Sequence, residues 1–284
     1  MNHIDGNTKL YGIIGHPVKH SLSPLIHNAA FQKIGFNGVY IPFDIENPGI
    51  RTKESFHELG IHGLSVTIPH KNWAFQIADI KDPLSEICRA SNTLIRNADG
   101  KFSAYNTDGP GALNALYTKI DSLSGKRILM IGYGGSASAI AHAILLNDPP
   151  ESLYIGGRNQ NKIKSFIETF NVHENLITEI KESDEHISSD DVDIIINTTP
   201  LGMKFGSVDL PLKSDFITEK HIVFDIVYIP RDTPLIKLAK SKNAAVVYGY
   251  LMLLHQAVLQ FELFTGEKAP VDLMESVMTE ALNI

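Results

Sequence analysis

Cysteine is nearly absent, with Cys88 the only one in 284 residues. No internal disulfide can form, which suits a reducing cytoplasm. Positive charge is also scarce. Against 32 aspartates and glutamates stand 25 lysines and arginines, for a net charge of -7, and a nucleic-acid partner would call for a basic face instead. No apolar run approaches the roughly 20 residues that cross a bilayer. The longest, near 244–254, reads as a buried strand followed by a helix, so no membrane partner is expected. The opening MNHIDGNTKL lacks the basic-then-apolar pattern of a secretory signal, and a cytoplasmic location follows as the expectation. Metal ligands are not grouped either. His16 and His20 flank Pro17 outside a helix and have no evident third ligand, so no metal is expected. What remains is an ordinary globular composition, 43% hydrophobic and 20% charged, long enough for about two domains.

Apolar segments at 10–14, 39–43 and 64–68 read as strands, and 25–34 and 50–59 as helices stopped by Gly35 and Gly60. Ser23 is the expected N-cap of the first helix, with Pro24 at its first position. Segments 73–80 and 84–90 read as helices. Segments 93–95 and 102–105 form a hairpin across Asn97-Ala98-Asp99-Gly100. After a turn at Asp108-Gly109-Pro110-Gly111, a helix is expected over 112–119. The polar stretch 122–126 reads as a domain junction. Beyond it strands (127–131, 153–155, 194–197, 223–227) alternate with helices (136–147, 162–170), which implies a parallel sheet covered on both faces. Two helices, 250–264 and 271–282, end the chain. The acidic run 189–193 reads as a solvated loop.

Strand 127–131 leads directly into Gly132-Tyr133-Gly134-Gly135-Ser136-Ala137. The first glycine allows a tight turn, and the second lets backbone approach a pyrophosphate. Ala137 takes the place of the third glycine, where helix and strand meet closely. A helix N-terminus adds free N–H groups and partial positive charge. The strand before the turn and the helix after it favour a dinucleotide site, the alternative being a plain structural strand-to-helix turn. At the end of the next strand, where a carboxylate would bind the ribose of NAD, stand Arg158 and, four residues on, Lys162. Two cations suit a 2′-phosphate, so NADP is the expected cofactor.

A second chemical signal lies earlier. Gly63-Leu64-Ser65-Val66-Thr67-Ile68-Pro69-His70-Lys71 runs a strand into a proline turn that presents a hydroxyl and an ammonium. A ketone reduced by hydride becomes an alkoxide and needs a proton, which a lysine can donate. Asp108 is a candidate partner, although spacing alone does not bring it to Lys71. Ser21, Ser23, Thr67, Asn92 and Gln256 could hydrogen-bond a polyol or carboxylate.

These segments, taken in order, resemble shikimate dehydrogenase over nearly the whole chain. Gly12-Ile13-Ile14-Gly15-His16-Pro17-Val18-Lys19-His20-Ser21-Leu22-Ser23-Pro24, with His27-Asn28, looks like the family's substrate-carboxylate motif. Val66-Thr67-x-Pro69-x-Lys71 looks like its lysine motif. Ser91-Asn92-Thr93 and Asn106-Thr107-Asp108-Gly109-x-Gly111 look like its asparagine and aspartate motifs. Asn197-Thr198-Thr199-Pro200-x-Gly202-Met203, Asp225-x-x-Tyr228-x-Pro230-x-x-Thr233-Pro234-Leu235 and Gly249-x-x-Met252-Leu253-x-x-Gln256-Ala257 complete the series.

The resemblance implies an α/β fold with an N-terminal substrate domain (1–111) and a doubly wound, Rossmann-like NADP domain (112–249). The C-terminal helices (about 250–284) return to the first domain. It implies NADP-linked interconversion of 3-dehydroshikimate and shikimate by a monomer or homodimer. Lys71 and Asp108 would be catalytic, and Ser21, Ser23, Thr67, Asn92, Tyr228 and Gln256 would hold substrate. Gly132, Gly134, Gly135, Ser136, Arg158, Asn159, Lys162, Ile226 and Gly249 would line the cofactor site. The chain departs from the family pattern at several points. Tyr133 stands where alanine is common. Gly157-Arg158-Asn159 replaces Asn-Arg-Thr, and Arg89 and Ser91 replace small or apolar residues. Tyr248 and Leu251 stand where aspartate and glycine are frequent. One alternative is a relative that oxidises quinate, with NAD or both cofactors. Ser23 speaks for shikimate, since quinate-preferring relatives often carry threonine there. Another alternative is a catalytically weak NADP-binding regulator, against which Lys71 and Asp108 argue.

Overall fold

A computed structural model describes residues 4–170, 176–179, 187–203, 207 and 209–284. The chain forms two units, Met1–Thr107 with Gln256–Ile284, and Asp108–His255. The expected boundary after 111 falls inside a helix that belongs whole to the second unit.

The first unit is built on strands β1 (Lys9–Gly15), β2 (Gly38–Asp44), β3 (Ile61–Val66), β4 (Ile80–Lys81), β5 (Thr93–Arg96) and β6 (Phe102–Tyr105). Their order is β2-β1-β3-β5-β6-β4. β1 pairs parallel with β2 and β3, whereas β5 runs antiparallel to β3 and β6. The apolar run of β1 is buried from Tyr11 to Gly15, as befits a strand inside a parallel segment. Helices α1 (Ser23–Ile34), α2 (Ile50–Glu58), α3 (Lys71–Ile77) and α4 (Pro83–Cys88) connect the strands. α1 ends at Gly35, whose φ of 69° is the left-handed stop its glycine allows. Ser23 is not its cap, contrary to expectation. Leu22 holds that place without a side-chain hydrogen bond, and the oxygen that accepts from Ser23 N, at 3.2 Å, is Ser21 Oγ. α3 starts earlier than expected, at Lys71, and residue 80 belongs to a strand.

The second unit carries β7 (Arg127–Ile131), β8 (Ser152–Gly156), β9 (Ile177–Glu179), β10 (Ile194–Asn197), β11 (Ile222–Asp225) and β12 (Ala245–Tyr248), with helices α5 (Asp108–Leu116), α6 (Gly135–Asn147), α7 (Gln160–Ile167) and α8 (Pro234–Ser241). All six strands are parallel in the order β12-β11-β10-β7-β8-β9. Counted within the unit this is the doubly wound order, and it reverses direction between β7 and β10. Alternate residues feed opposite faces. Ile128, Met130, Ile194 and Ile196 enter one core with α6, and Leu129, Ile131, Ile195 and Val223 the other with α8. α5 starts at Asp108, running through Gly109-Pro110-Gly111, because proline is tolerated in a first turn and a carboxylate suits a helix N-terminus. Residues 122–126 are not a domain junction. Leu123 is buried in this core and its N–H donates to Asp148 Oδ2 at 2.6 Å. Nor is the acidic run a purely solvated loop. Ser189–Asp191 is a 3-10 turn, and Asp193 takes Arg127 Nε and Nη2 at 3.2 and 3.1 Å, anchoring the start of β7.

Helix α9 (Gly249–Thr265) begins in the second unit and ends in the first, and α10 (Val271–Leu282) packs on α1. Among the described residues, no helix is long and apolar enough to cross a membrane.

Candidate active site

In the first unit, β1 and β3 run parallel with Ile14 opposite Val66, so their carboxyl ends release two loops side by side. Thr67 N donates to Ile14 O at 2.9 Å and His16 N to Ile68 O at 3.1 Å. The approach is so close that a Cβ at Gly15 would overlap Thr67 Cγ2. The second loop closes with His70 N on Thr67 O at 2.9 Å. The buried His70 ring donates from Nε2 to Ile45 O at 2.6 Å, because a carbonyl can only accept. Lys71 then opens α3. Its carbonyl accepts from Ser91 N at 2.9 Å, and Asn72 Nδ2 donates to Arg89 O at 3.1 Å. The backbone under the lysine is thereby tied both to the β3 turn and to the lead-in of β5. Ser21 and Ser23 follow the neighbouring β1 loop, with Ser23 buried and Ser21 partly exposed.

Behind these loops lies a polar net in the core. Asn92 Oδ1 accepts from Thr107 N at 2.8 Å and Thr93 Oγ1 at 3.0 Å. Its Nδ2 donates to Thr107 Oγ1 at 2.9 Å and, more weakly, to Gln256 Oε1 at 3.4 Å. One turn along α9, Gln260 Nε2 donates to Asn92 O and Thr93 Oγ1, both at 3.0 Å, and its Oε1 accepts from Ser65 Oγ at 2.7 Å. A satisfied buried net of this kind holds its members in one geometry. His27, fully buried, stacks on Tyr40 with ring centroids 4.5 Å apart. Burial pushes its pKa down to about 3. The nearby Gln260 side chain opposes the shift, although neither ring nitrogen makes a hydrogen bond of normal geometry. The ring is neutral at physiological pH and serves packing. Gln260, Ser65, Thr107 and His27 escaped the sequence-based candidates. The one available signal was the spacing of four from Gln256 to Gln260 on an apolar helix, which puts two amides on one face.

Of the expected catalytic and substrate residues, two belong to the second unit. Asp108 is buried at the first position of α5 and follows Thr107 in the chain, and Tyr228 lies partly exposed in the loop after β11. The same unit contains the glycine turn, at the switch point. Gly132 has φ +120°, and a Cβ there would overlap Thr198 Oγ1. Thr198, just past β10, donates to Ile131 O through N at 2.9 Å and Oγ1 at 2.8 Å. Gly134 and Gly135 differ, because a Cβ on either meets no protein atom within 4 Å. Their bareness is not demanded by protein contacts, and it leaves room for a ligand against the backbone. Gly134 caps α6 without a side-chain hydrogen bond, so the first N–H groups of that helix, Ser136 among them, remain available to an anion. At the end of β8, Arg158 and Lys162 are exposed, with no carboxylate partner among the described residues. Asn159 caps α7, its Oδ1 accepting from Lys162 N at 3.1 Å. A bare backbone, a helix N-terminus and two cations fit a phosphorylated dinucleotide.

Ile226 and Gly249 meet within this unit. A Cβ on Gly249 would sit 2.5 Å from Ile226 O. The loop they share hangs on Asp225, whose Oδ1 accepts from Asn197 Nδ2 at 3.0 Å and Val227 N at 3.1 Å, and whose Oδ2 accepts from Thr233 Oγ1 at 2.6 Å. Thr233 in turn caps α8. Burial raises the Asp225 pKa against these three hydrogen bonds. Asp225→Ala leaves buried donors unpaired and should cost about 3 kcal/mol, a fall of roughly 6–12 °C in thermal unfolding midpoint for a chain of this size. The raised pKa means that the folded chain binds that proton more tightly than the unfolded chain does. The stabilisation tied to that proton is full below the ordinary carboxylate value and is lost as pH rises through the folded value. Melting curves for Asp225→Asn should lack that part of the pH dependence, and an unaltered pH slope would count against it.

Comparison with known proteins agrees along the chain. Residues 13–94 match the shikimate dehydrogenase substrate binding domain, 115–241 the shikimate / quinate 5-dehydrogenase family, and 249–279 the shikimate 5'-dehydrogenase C-terminal domain. The shikimate dehydrogenase (NADP(+)) of Leptospira interrogans is 40% identical over 262 residues, covering 92% of this chain and 90% of its own length. A crystal structure of a shikimate dehydrogenase in complex with NADP+ superimposes with a TM-score of 0.89 at 34% identity, covering 99% of this chain and 98% of that one. The shikimate 5-dehydrogenase of Thermus thermophilus, solved with NADP(H) and shikimate, gives 0.82 at 28% identity, covering 97% and 100%.

Proposed function

The chain belongs to the shikimate dehydrogenase family, and on that premise we propose that it interconverts 3-dehydroshikimate and shikimate with NADP(H), Lys71 exchanging the proton. It works in the cytoplasm, where the lone Cys88 stays reduced, as a monomer or homodimer. What carries the reading is the seating of Lys71 at the carboxyl end of β3, next to the loop of Ser21 and Ser23, in a chain whose second unit offers a bare glycine turn.

Bound NADPH supplies the hydride that reduces the carbonyl carbon. The residues of this chain do the rest. Ser21 and Ser23 hydroxyls hold the substrate carboxylate, while Thr67, Asn92, Tyr228 and Gln256 orient its ring hydroxyls. Lys71 Nζ donates a proton to the oxygen that gains charge and takes it back in the oxidative direction. Asp108 is its acidic partner in that exchange. The Asn92–Gln256–Gln260 net keeps the floor of the site from rearranging. Gly132, Gly134, Gly135 and Ser136 receive the pyrophosphate, Arg158, Asn159 and Lys162 the 2′-phosphate side, and Ile226 and Gly249 the nicotinamide end.

Following the absorbance of reduced nicotinamide with shikimate and with quinate, each against NADP+ and NAD+, tests the assignment. Turnover should be fastest with shikimate and NADP+, and no turnover with either polyol would end it. Arg158→Ala should raise the KM for NADPH by about 10–100-fold, the worth of a charge-assisted hydrogen bond, and leave that for NADH little changed. Equal effects on both cofactors would remove the 2′-phosphate contact.

A further inference from the structure

Gly157 is a glycine without a backbone reason. It is absent from the residues of positive φ, so its conformation suits any amino acid. What excludes a side chain is Tyr133. A Cβ on Gly157 would lie 2.6 Å from Tyr133 Cε1 and 3.0 Å from Cδ1, well inside the 3.5–4.0 Å at which carbon atoms rest. The ring is partly buried and packs on the core, so swinging aside would give up that contact. β7 and β8 are parallel neighbours, with Ile131 opposite Gly156. The turn containing Tyr133 and the segment Gly157-Arg158-Asn159 therefore leave the sheet side by side, and the tyrosine ring bridges them. The two departures from the family pattern at this edge, tyrosine for alanine and glycine for asparagine, are thus a single steric exchange.

We propose that Tyr133 and Gly157 form a matched pair that shapes the adenosine-ribose side of the cofactor site. In it Tyr133 is a positioning residue for Arg158 and so a determinant of NADP over NAD. Arg158 stands between two fixed points. On one side Gly157 lies under the ring. On the other Asn159 is held by its cap to α7, with Lys162 N on its side chain at 3.1 Å and Ile163 N on its carbonyl at 3.0 Å. Without the ring, the segment before Arg158 loses its support and the guanidinium loses its aim. A bidentate contact to phosphate is sensitive to such a loss in a way that a ribose hydroxyl contact is not. The proposal rests on the dinucleotide reading given above.

Calorimetric titration of NADP+ and NAD+ into the full chain and into Tyr133→Ala, Tyr133→Phe, Gly157→Asn and the double variant Y133A/G157N tests it, with a melting curve for each. Tyr133→Ala should lower the ratio of NADP+ to NAD+ affinity about tenfold, and Tyr133→Phe, which keeps the ring, should leave the ratio unchanged. Gly157→Asn should weaken both cofactors or fail to fold, and the double variant should regain most of the loss. Strictly additive effects of the two changes would overturn the proposal, as would an unchanged ratio in Tyr133→Ala. Should neither asparagine variant fold, the alanine and phenylalanine arms decide alone. If the unaltered chain binds no NADP+, the dinucleotide reading itself fails. If it binds and prefers NADP+ but shows no coupling, only the pairing fails.

Discussion

Lys71→Ala should lower kcat for shikimate oxidation by about 10³-fold, within the 10²–10⁴ range of a positioned general acid or base, while changing the KM for shikimate by no more than a few-fold. The split follows from where the residue sits. In the proposed mechanism its ammonium is the group offered to the reacting oxygen, whereas the carboxylate and ring hydroxyls of the substrate fall to Ser21, Ser23, Thr67 and the amides. Loss of an interaction made chiefly in the transition state appears in kcat, and loss of uniform binding appears in KM. Collapse of the loop would not explain the result. The hydrogen bond from Ser91 N reaches the Lys71 carbonyl, which alanine retains, and alanine is the best helix former for the start of α3. Steady-state kinetics with a melting curve as control suffice. A kcat within threefold of the parent would remove Lys71 from the chemistry, and a large KM rise at constant kcat would recast it as a substrate anchor.

Gly249→Ala should be a severely damaging single methyl in the second unit. The added carbon would fall 2.5 Å from Ile226 O and 2.6 Å from both Ile226 C and Val227 O. All three are backbone atoms, so no side chain can rotate away. The loop cannot retreat cheaply either. Ile226 N is bonded to Asn197 O at 3.1 Å and Val227 N to Asp225 Oδ1 at 3.1 Å. Overpacking of this kind costs about 3 kcal/mol or more, read as a melting point lowered by roughly 6–12 °C. Whatever movement does occur shifts Tyr228, two residues beyond Ile226, so KM for both shikimate and NADP+ should rise together. A variant that melts and binds like its parent would mean that Gly249 is not confined by this loop.

The sequence made the second unit legible because its signals are local. An apolar run into Gly132 and an alternation of strands with helices each need only neighbours to be read, and together they imply the parallel sheet. The short β9 and the helix α8 escaped, the first because three residues carry no period and the second because its Pro234 start lies inside a motif read for chemistry. In the first unit the lysine turn and the serine pair were visible from their residue types. Of the net behind them, Asn92 and Gln256 were visible as single residues, but the links that join them were not. Gln260 joins Ser65 and Asn92 across 195 and 168 residues of chain, and no local pattern announces a partner that far away. Ser23 illustrates the opposite error. A serine before a proline is a good cap by composition, yet Ser21 supplied the oxygen, which freed Ser23 to turn inward.

The second unit is, in chain order, an insertion within the first, and this sets a timetable for synthesis. When the ribosome has made His255, everything the later sheet needs already exists, and that sheet can close on its own schedule. The earlier sheet must wait. Asn92, Ser65 and Tyr11 are translated early, but partner atoms on Gln256, Gln260 and Phe264 emerge 164, 195 and 253 residues later. Of the two units, the one begun first is therefore the one finished last.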